Sequence, residues 1–316
     1  MRDSTKITLI ILSSLLIIGW FLGQGLTADN YQFFLSRRTP KILAIILAAI
    51  AISTSSLIFQ TITNNRILTP SILGFDSLYL MIQVSIVVVL GSTSYWVTNS
   101  MVNFTLSTFI MITLSLSLFY LYFRTQNNNI FTLLLIGIVC GSLFKNITSF
   151  LTMLVDPNEF SIIQNAMFAS FNNINANLVY WSIIPLLICL LGSLHYARQL
   201  DVFWLGTDNA TSLGINTKKL TQKMMVLVVI MVAISTALVG PVLFFGLITV
   251  SLTRELFNSY KHSTLILSSS LLGVLLLVSG QYIVEKMLSF QTTISVIINL
   301  VGGSYFLYLL YRKRVN

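Results

Sequence analysis

The side chains that could do chemistry are few in this sequence, and they are scattered. Cys140 and Cys189 lie in separate apolar runs without CxxC spacing, so both read as buried, inert thiols. His195 and His262 fall near the ends of different apolar runs, where a lone histidine is expected at an interface. The sequence offers no HExxH, no GxSxG and no pair of carboxylates within one run. It also lacks G-x-x-x-x-G-K-[ST], so nothing in it forms a P-loop around nucleotide phosphates. Charge inside an apolar run is the default pointer to function, and two residues qualify. Asp76 lies near the start of the third run, and one acid is little for a proton- or sodium-coupled carrier. Lys145, in "CGSLFKNITSF", either snorkels to an interface or lines a path for an anionic solute together with Asn146.

The elements that must position these residues are membrane spans. Of 316 residues, 55% are hydrophobic and 9% charged, against about 25% charged in soluble domains. Too little charge remains to cover a water-facing surface, and the mean hydropathy of +0.87 agrees. A formal charge of +9 would suggest nucleic acid in a soluble protein. Here the cations sit in short loops between apolar runs, where they orient spans. The expected neighbour is membrane lipid, and no nucleic acid is expected.

A span needs about 20 apolar residues, and that ruler finds ten segments in one all-α transmembrane domain, 1–316. They are 7–26, 41–62, 72–91, 97–122, 130–154, 178–197, 223–240, 244–258, 264–284 and 293–311. Pro70 and the Gly240-Pro241 pair interrupt the third and eighth, which is tolerated where protein or a water-filled cavity covers the backbone. The first run is near 20 residues and lacks a small-residue cleavage site, so it reads as a retained span.

Of the 18 lysines and arginines, 13 fall on one side if the N-terminus is cytoplasmic. They are Arg2, Lys6, Arg66, Arg124, Arg198, Lys218, Lys219, Lys223, Arg254, Lys261, Arg312, Lys313 and Arg314. Arg37, Arg38, Lys41 and Lys286 fall on the other side. The bias places both termini in the cytoplasm. Spans 2–5 then begin outside and spans 7–10 inside, as in an inverted repeat. Outside, "DPNEFSIIQNAMFASFNNINAN" (156–177) predicts a short helix ended by asparagines.

The stretch "FWLGTDNATSLGINTKK" (203–219) is a polar island with the makings of a small capped helix. Thr207 or Asp208 can N-cap it, Ala210 and Leu213 share an i, i+3 face, and Gly214 can supply the left-handed stop. The bland reading is a capped loop without a partner.

Three motifs resemble the FecCD-type permeases of iron-chelate and vitamin B12 ATP-binding cassette importers. The first is "RRTPKILAIILAAIAISTSSLIFQTITNNRILTPSILGFDS" (37–77). It is similar to the family's R-x-P-[RK] start at Arg38, Pro40 and Lys41. It continues through the Q-x-x-x-x-N-P-L-x-x-P-x-x-L-G segment at Gln60, Asn65, Leu68, Pro70, Leu73 and Gly74, with Arg66 where the family has proline. The second, "LGTDNATSLGIN", resembles L-G-x-x-x-A-x-x-L-G-[VI]-N at Leu205, Gly206, Ala210, Leu213, Gly214, Ile215 and Asn216. The third, "GPVLFFGLITVSLTREL" (240–256), is similar to G-P-I-x-F-V-G-L-x-x-P-H-x-x-R at Gly240, Pro241, Phe244, Gly246, Leu247 and Arg254. Ser251-Leu252 stands in place of P-H. The tail "GGSYFLYLLYRK" resembles the family ending, with Ser304 in place of proline.

The resemblance implies the permease subunit of an importer of the bacterial plasma (inner) membrane, carrying a ferric siderophore inward. It implies a second permease subunit (a copy or a paralogue), two ATPase subunits that use ATP and Mg, and an extracytoplasmic substrate-binding protein. This chain itself would need no cofactor and no metal, and would catalyse no covalent step. The loop at about 198–222 would couple to the ATPase through Leu205, Gly206, Asp208, Ala210, Leu213 and Gly214. Arg37, Arg38, Lys41 and Lys286 would dock the binding protein, and Gly141, Ser142, Lys145 and Asn146 would line the pathway. Haem or cobalamin is the competing cargo. An ion-coupled secondary carrier and a non-transporting sensor are the competing functions.

Overall fold

The computed structural model describes residues 3–27, 29–124, 130–157, 159–172 and 174–315. Arg2, and the side chains of Arg124, Arg312, Lys313 and Arg314 that add to the charge bias, lie outside what is described. Fourteen α-helices and no strand appear among the described residues.

The ten apolar segments correspond to ten of these helices. They are α1 (Asp3–Gly23), α2 (Tyr31–Ile62), α3 (Phe75–Leu90), α5 (Ser100–Arg124), α6 (Ile130–Thr152), α8 (Ala176–His195), α11 (Thr217–Val239), α12 (Phe245–Leu256), α13 (His262–Lys286) and α14 (Ile294–Val315). The other four are short connectors: α4 (Tyr95–Thr98), α7 (Phe160–Met167), α9 (Ala197–Phe203) and α10 (Thr207–Ser212). Seven described helices are long and apolar enough to cross a membrane, and α3 and the Ile294–Tyr308 part of α14 are shorter apolar helices.

The two interrupted segments come out short for a physical reason. Pro70 opens a 3-10 turn (Pro70–Leu73), and α3 follows with 16 residues, about 24 Å at 1.5 Å per residue. Gly240-Pro241 leads an irregular stretch into α12, whose 12 residues reach about 18 Å. The eighth segment, expected over 244–258, is therefore part helix and part irregular lead-in. In both places the exposed peptide groups are sheltered by neighbouring chain, as membrane depth demands.

Long α2 runs down the middle. It carries 17 buried residues and packs on α13, α11, α8 and α12. Its "STSS" run (53–56) is buried, and hydroxyls bridge the helices: Ser53 Oγ donates to Thr249 Oγ1 on α12 at 3.2 Å, and Thr54 Oγ1 lies 3.2 Å from Ser270 Oγ on α13. Small residues bring these backbones together. A Cβ on Gly246 would overlap Ser56, and one on Gly273 would come within 2.6 Å of Ser53 Oγ. Small residues and hydroxyl bridges are how helices associate where lipid removes the hydrophobic drive between them.

The contacts repeat between the halves. α2 packs on α12 and α13, while α11 packs on α3 and α5, their counterparts in the first half. Likewise α3 packs on α6, and α12 on α14. Each pair lies five places apart in the order of spans, so the counterparts run in opposite directions. This is the geometry of an inverted repeat with swapped first helices.

Lys6 Nζ donates to Leu256 O at 2.6 Å, and Asn258 N reaches Asp3 Oδ1 at 3.4 Å. The start of α1 and the end of α12 therefore share one end of the bundle, termed the basic end. The turns 63–69 and 196–216 also lie there. The far end holds the described residues of 24–30, 91–99, 153–175 and 287–293. There α7 forms as expected, but it stops at Met167, before the asparagines. Asn175 instead caps α8, accepting from Asn177 N at 3.0 Å.

Candidate functional site

At the basic end, α8 breaks at Tyr196 and the chain turns through α9 and α10 before entering α11. α10 is shaped by local bonds. Its N-cap is Gly206, with no side-chain cap. Thr207 and Asp208 are its first helical residues, which corrects the expectation that one of them caps it. Their carbonyls instead accept from Thr211 Oγ1 (2.8 Å) and Ser212 Oγ (3.0 Å), while Asn209 Nδ2 donates to Leu205 O at 2.8 Å. The stop is Gly214, at φ 85°, where a Cβ would be strained. Ile215 N then closes onto Ala210 O at 3.0 Å. Asn216 caps α11, its Oδ1 accepting from Lys219 N at 3.0 Å.

This geometry separates two residues that spacing alone put on one outward face. Ala210 is fully buried, whereas Leu213 is 63% exposed and Leu205 59% exposed. The knobs that a partner would meet are Leu205 and Leu213, and Ala210 is the packing contact that seats α10 on the bundle.

Beneath α9 lies a cluster that the sequence reading missed. His262 is 1% exposed, not interfacial. Asp201 Oδ1 accepts from His262 N at 2.5 Å and pairs with its Nδ1 at 2.7 Å, while Nε2 faces Thr61 Oγ1 at 2.8 Å. One residue thus ties α9 to the start of α13 and the last turn of α2. Burial works against the Asp201 carboxylate. The hydrogen bonds from His262, helped by the charges of His262 and Lys261, outweigh it and hold the carboxyl below its ordinary value. The signal missing from the sequence is distance: Asp201 and His262 are 61 positions apart.

At the far end, the four expected docking cations divide. Arg38 Nη1 donates to Leu22 O (3.0 Å) and Gln24 O (2.6 Å) and lies over Phe34. Lys41 pairs with Glu285, which also accepts from Gln281 Nε2 at 3.0 Å. These two fasten α1, α2 and α13 together, so they are turned inward. Arg37, resting on Phe33 at 4.7 Å, and Lys286 remain exposed.

The expected pathway residues also divide. Gly141 is buried, and its Cα lies where a Cβ on Gly74 would fall. It is a packing contact between α6 and the Pro70–Gly74 turn. Ser142, Lys145 and Asn146 are exposed on α6, together on one face of the helix. Asp76 is buried in the first turn of α3, bonded to Ser71 at the basic end, where a carboxylate complements the helix dipole.

The pattern of the FecCD transport family matches residues 7–312. The chain belongs to the FecCD transport family. It is 47% identical over 313 residues to the petrobactin import system permease protein YclO of Bacillus subtilis (strain 168), covering 99% of both chains. It is 34% identical over 316 residues to the petrobactin import system permease protein FatC of Bacillus anthracis, covering 96% of this chain and 89% of that one. Its fold overlays on a solved inward-facing metal-chelate type ABC transporter with a TM-score of 0.85, at 22% identity, over 98% of this chain and 99% of that one. That overlay supports the ten-helix permease fold. Among the described residues, no group of three or more metal-ligating side chains forms.

Proposed function

We propose that this FecCD chain is the permease subunit of an ATP-binding cassette importer that carries a ferric siderophore inward across the bacterial plasma membrane. The observation that carries this reading is the end-to-end 47% identity to a petrobactin import permease. A ferric siderophore of the petrobactin class is therefore the cargo to test first. The basic end faces the cytoplasm, following the cation bias. The subunit pairs with a second permease, a copy or a paralogue, and with two ATPase subunits, and a binding protein delivers cargo at the far end.

In this mechanism the chain moves; it makes and breaks no covalent bond. Leu205 and Leu213 seat in the ATPase, and Gly206, Asp208 and Gly214 hold α10 in the shape that presents them. Motion of α10 passes through Ala210 to the bundle, and through Asp201 and His262 to α13 and α2. At the far end Arg37 and Lys286 meet acidic groups of the binding protein. Exposed pairs contribute at most about 1 kcal/mol each, so they set register and encounter rate more than affinity. Ser142, Lys145 and Asn146 offer small and polar surface along the path of the chelate.

The test is iron uptake from ferric petrobactin by cells whose only permease is L205D/L213D. The expected result is loss of most uptake, with the permease still in the membrane and its ATPase hydrolysing ATP without response to loaded binding protein. Uptake at the wild-type level would remove the coupling role. In parallel, R37E/K286E should slow uptake at low binding-protein concentration and recover as that concentration rises. Haem or cobalamin uptake in place of ferric petrobactin would move the cargo while keeping the family.

A further inference from the structure

The basic end holds one more feature that the coupling helix does not use. Beside the α9–α10 turn is an open cavity of about 280 Å³, whose lining includes Arg66, Trp204, Arg254, Phe257, Tyr260 and His262. Two guanidiniums share one indole: Arg254 Cζ lies 4.4 Å and Arg66 Cζ 5.6 Å from the Trp204 ring. Stacking on the ring accounts for the faces of these cations but satisfies none of their N–H donors. On Arg254, Nε and Nη2 are shielded from solvent and bond no acceptor. A guanidinium always carries its charge and has five donors in a planar fork, and leaving such donors unbonded is costly.

Asp201 is nearby, but its Oδ1 is taken by the backbone and ring of His262. Two like charges are therefore brought together around Trp204, in a cavity large enough for a side chain, with unspent donors. That arrangement attracts an oxyanion.

We propose that this cavity receives a carboxylate side chain of the ATPase subunit, clamped between Arg66 and Arg254 against Trp204. The proposal rests on the importer reading above. Two observations select this occupant. Trp204, which lines the cavity, directly precedes Leu205, one of the two exposed leucines assigned above to the ATPase contact. Arg66 and Arg254 bring two positive charges to Trp204, which suit an acidic side chain from a docked partner. The clamp would lock α9, the 63–69 turn and the end of α12 to the same partner group. Arg66 stands where the family pattern carries proline.

The experiment uses the full complex of the chain with its ATPase. In R66K and R254K the guanidinium becomes a primary amine, which a carbodiimide joins to a touching carboxylate with loss of water. Each variant complex should gain an amide cross-link to the ATPase that the wild type lacks. Mass spectrometry should map both to the same acidic residue. In R66Q/R254Q, the salt concentration that strips half of the ATPase should fall about two-fold, because a screened charge pair has been removed.

Complexes of R66K and R254K that still couple ATP hydrolysis to loaded binding protein, yet give no cross-link at either position, would overturn the clamp. So would retention of phosphatidylglycerol by the wild type, and its loss from R66Q/R254Q, with no change in ATPase binding. That result would give the cavity to a lipid headgroup. Failure of the wild-type chain to bind any ATPase would strike the importer reading itself. A wild-type response of L205D/L213D would strike the coupling helix and leave the clamp standing.

Discussion

The two halves of the bundle solve the same problem with different residues. In each, a proline breaks the approach to a short helix: Pro70 ahead of α3, and Pro241 ahead of α12. In each, the residue before the helix is left-handed, Gly74 at φ 82° and Phe244 at φ 56°. In each, that residue packs on a glycine of the half's last helix, Gly74 on Gly141 of α6 and Phe244 on Gly302 of α14. The first half meets glycine to glycine, backbone against backbone. The second puts a phenyl ring where the first has nothing. A left-handed conformation costs glycine little but costs an L side chain roughly 1–2 kcal/mol. Phe244 must recover that cost from its ring, which lies 5.9 Å from Phe306. The backbone path is thus what the repeat preserves, and the side chain is what each half spends differently.

The largest effect should come from filling the glycine–glycine contact. A Cβ on Gly74 would overlap the Gly141 Cα, a backbone atom that cannot rotate away, and the φ of 82° adds strain. Gly74→Ala should cost more than about 3 kcal/mol, read as loss of the folded fraction in detergent-solubilised membranes. A thermal midpoint within a degree or two of wild type would mean that the halves do not share this contact in solution.

Gly302→Ala should come next, because its Cβ would overlap the Phe244 Cβ. Overpacking of this kind costs about 1–3 kcal/mol. The clash is with a side-chain atom, so it should be reversible. Phe244→Gly removes that atom, so on the Phe244→Gly background Gly302→Ala should cost less than half of what it costs alone. If the two costs simply add, Phe244 and Gly302 do not touch as the repeat requires.

Much of this frame could be read from sequence. The ten apolar runs became ten helices, and Pro70 and Gly240-Pro241 marked the two short ones, because proline withholds an N–H from the ladder; Pro40 and Pro185 nevertheless sit inside α2 and α8 without ending them. Gly214 was legible for a similar reason: a left-handed stop after a short polar run favours glycine. Partners far away in sequence were not legible. Lys41 and Arg38 read as free cations at a span end, yet Glu285, 244 positions on, takes the first. Carbonyls of the previous helix take the second. His262 read as interfacial because Asp201 and Thr61 meet it only in three dimensions. Likewise, the i, i+3 spacing of Ala210 and Leu213 could not say which way α10 rolls on the bundle. The repeat itself was visible only as opposite orientations of spans 2–5 and 7–10 and as two prolines in corresponding places, since Gly74 and Phe244 share a backbone conformation and nothing else.

The smallest effect is a difference between two variants at one position, and it tests why the second half uses phenylalanine. Phe244→Ala keeps the left-handed strain and loses the ring, so it should destabilise by about 2–4 kcal/mol. Phe244→Gly also loses the ring but relieves the strain, so it should be the milder of the two by roughly 1 kcal/mol, despite glycine's greater freedom in the unfolded chain. Alanine and glycine bury almost the same area here, so their difference isolates the backbone contribution. Equal costs would show that φ at 244 relaxes when the ring is gone. The left-handed turn would then belong to the packing of Phe244 on Gly302 and Phe306, and only Gly74 would owe its conformation to the chain path itself.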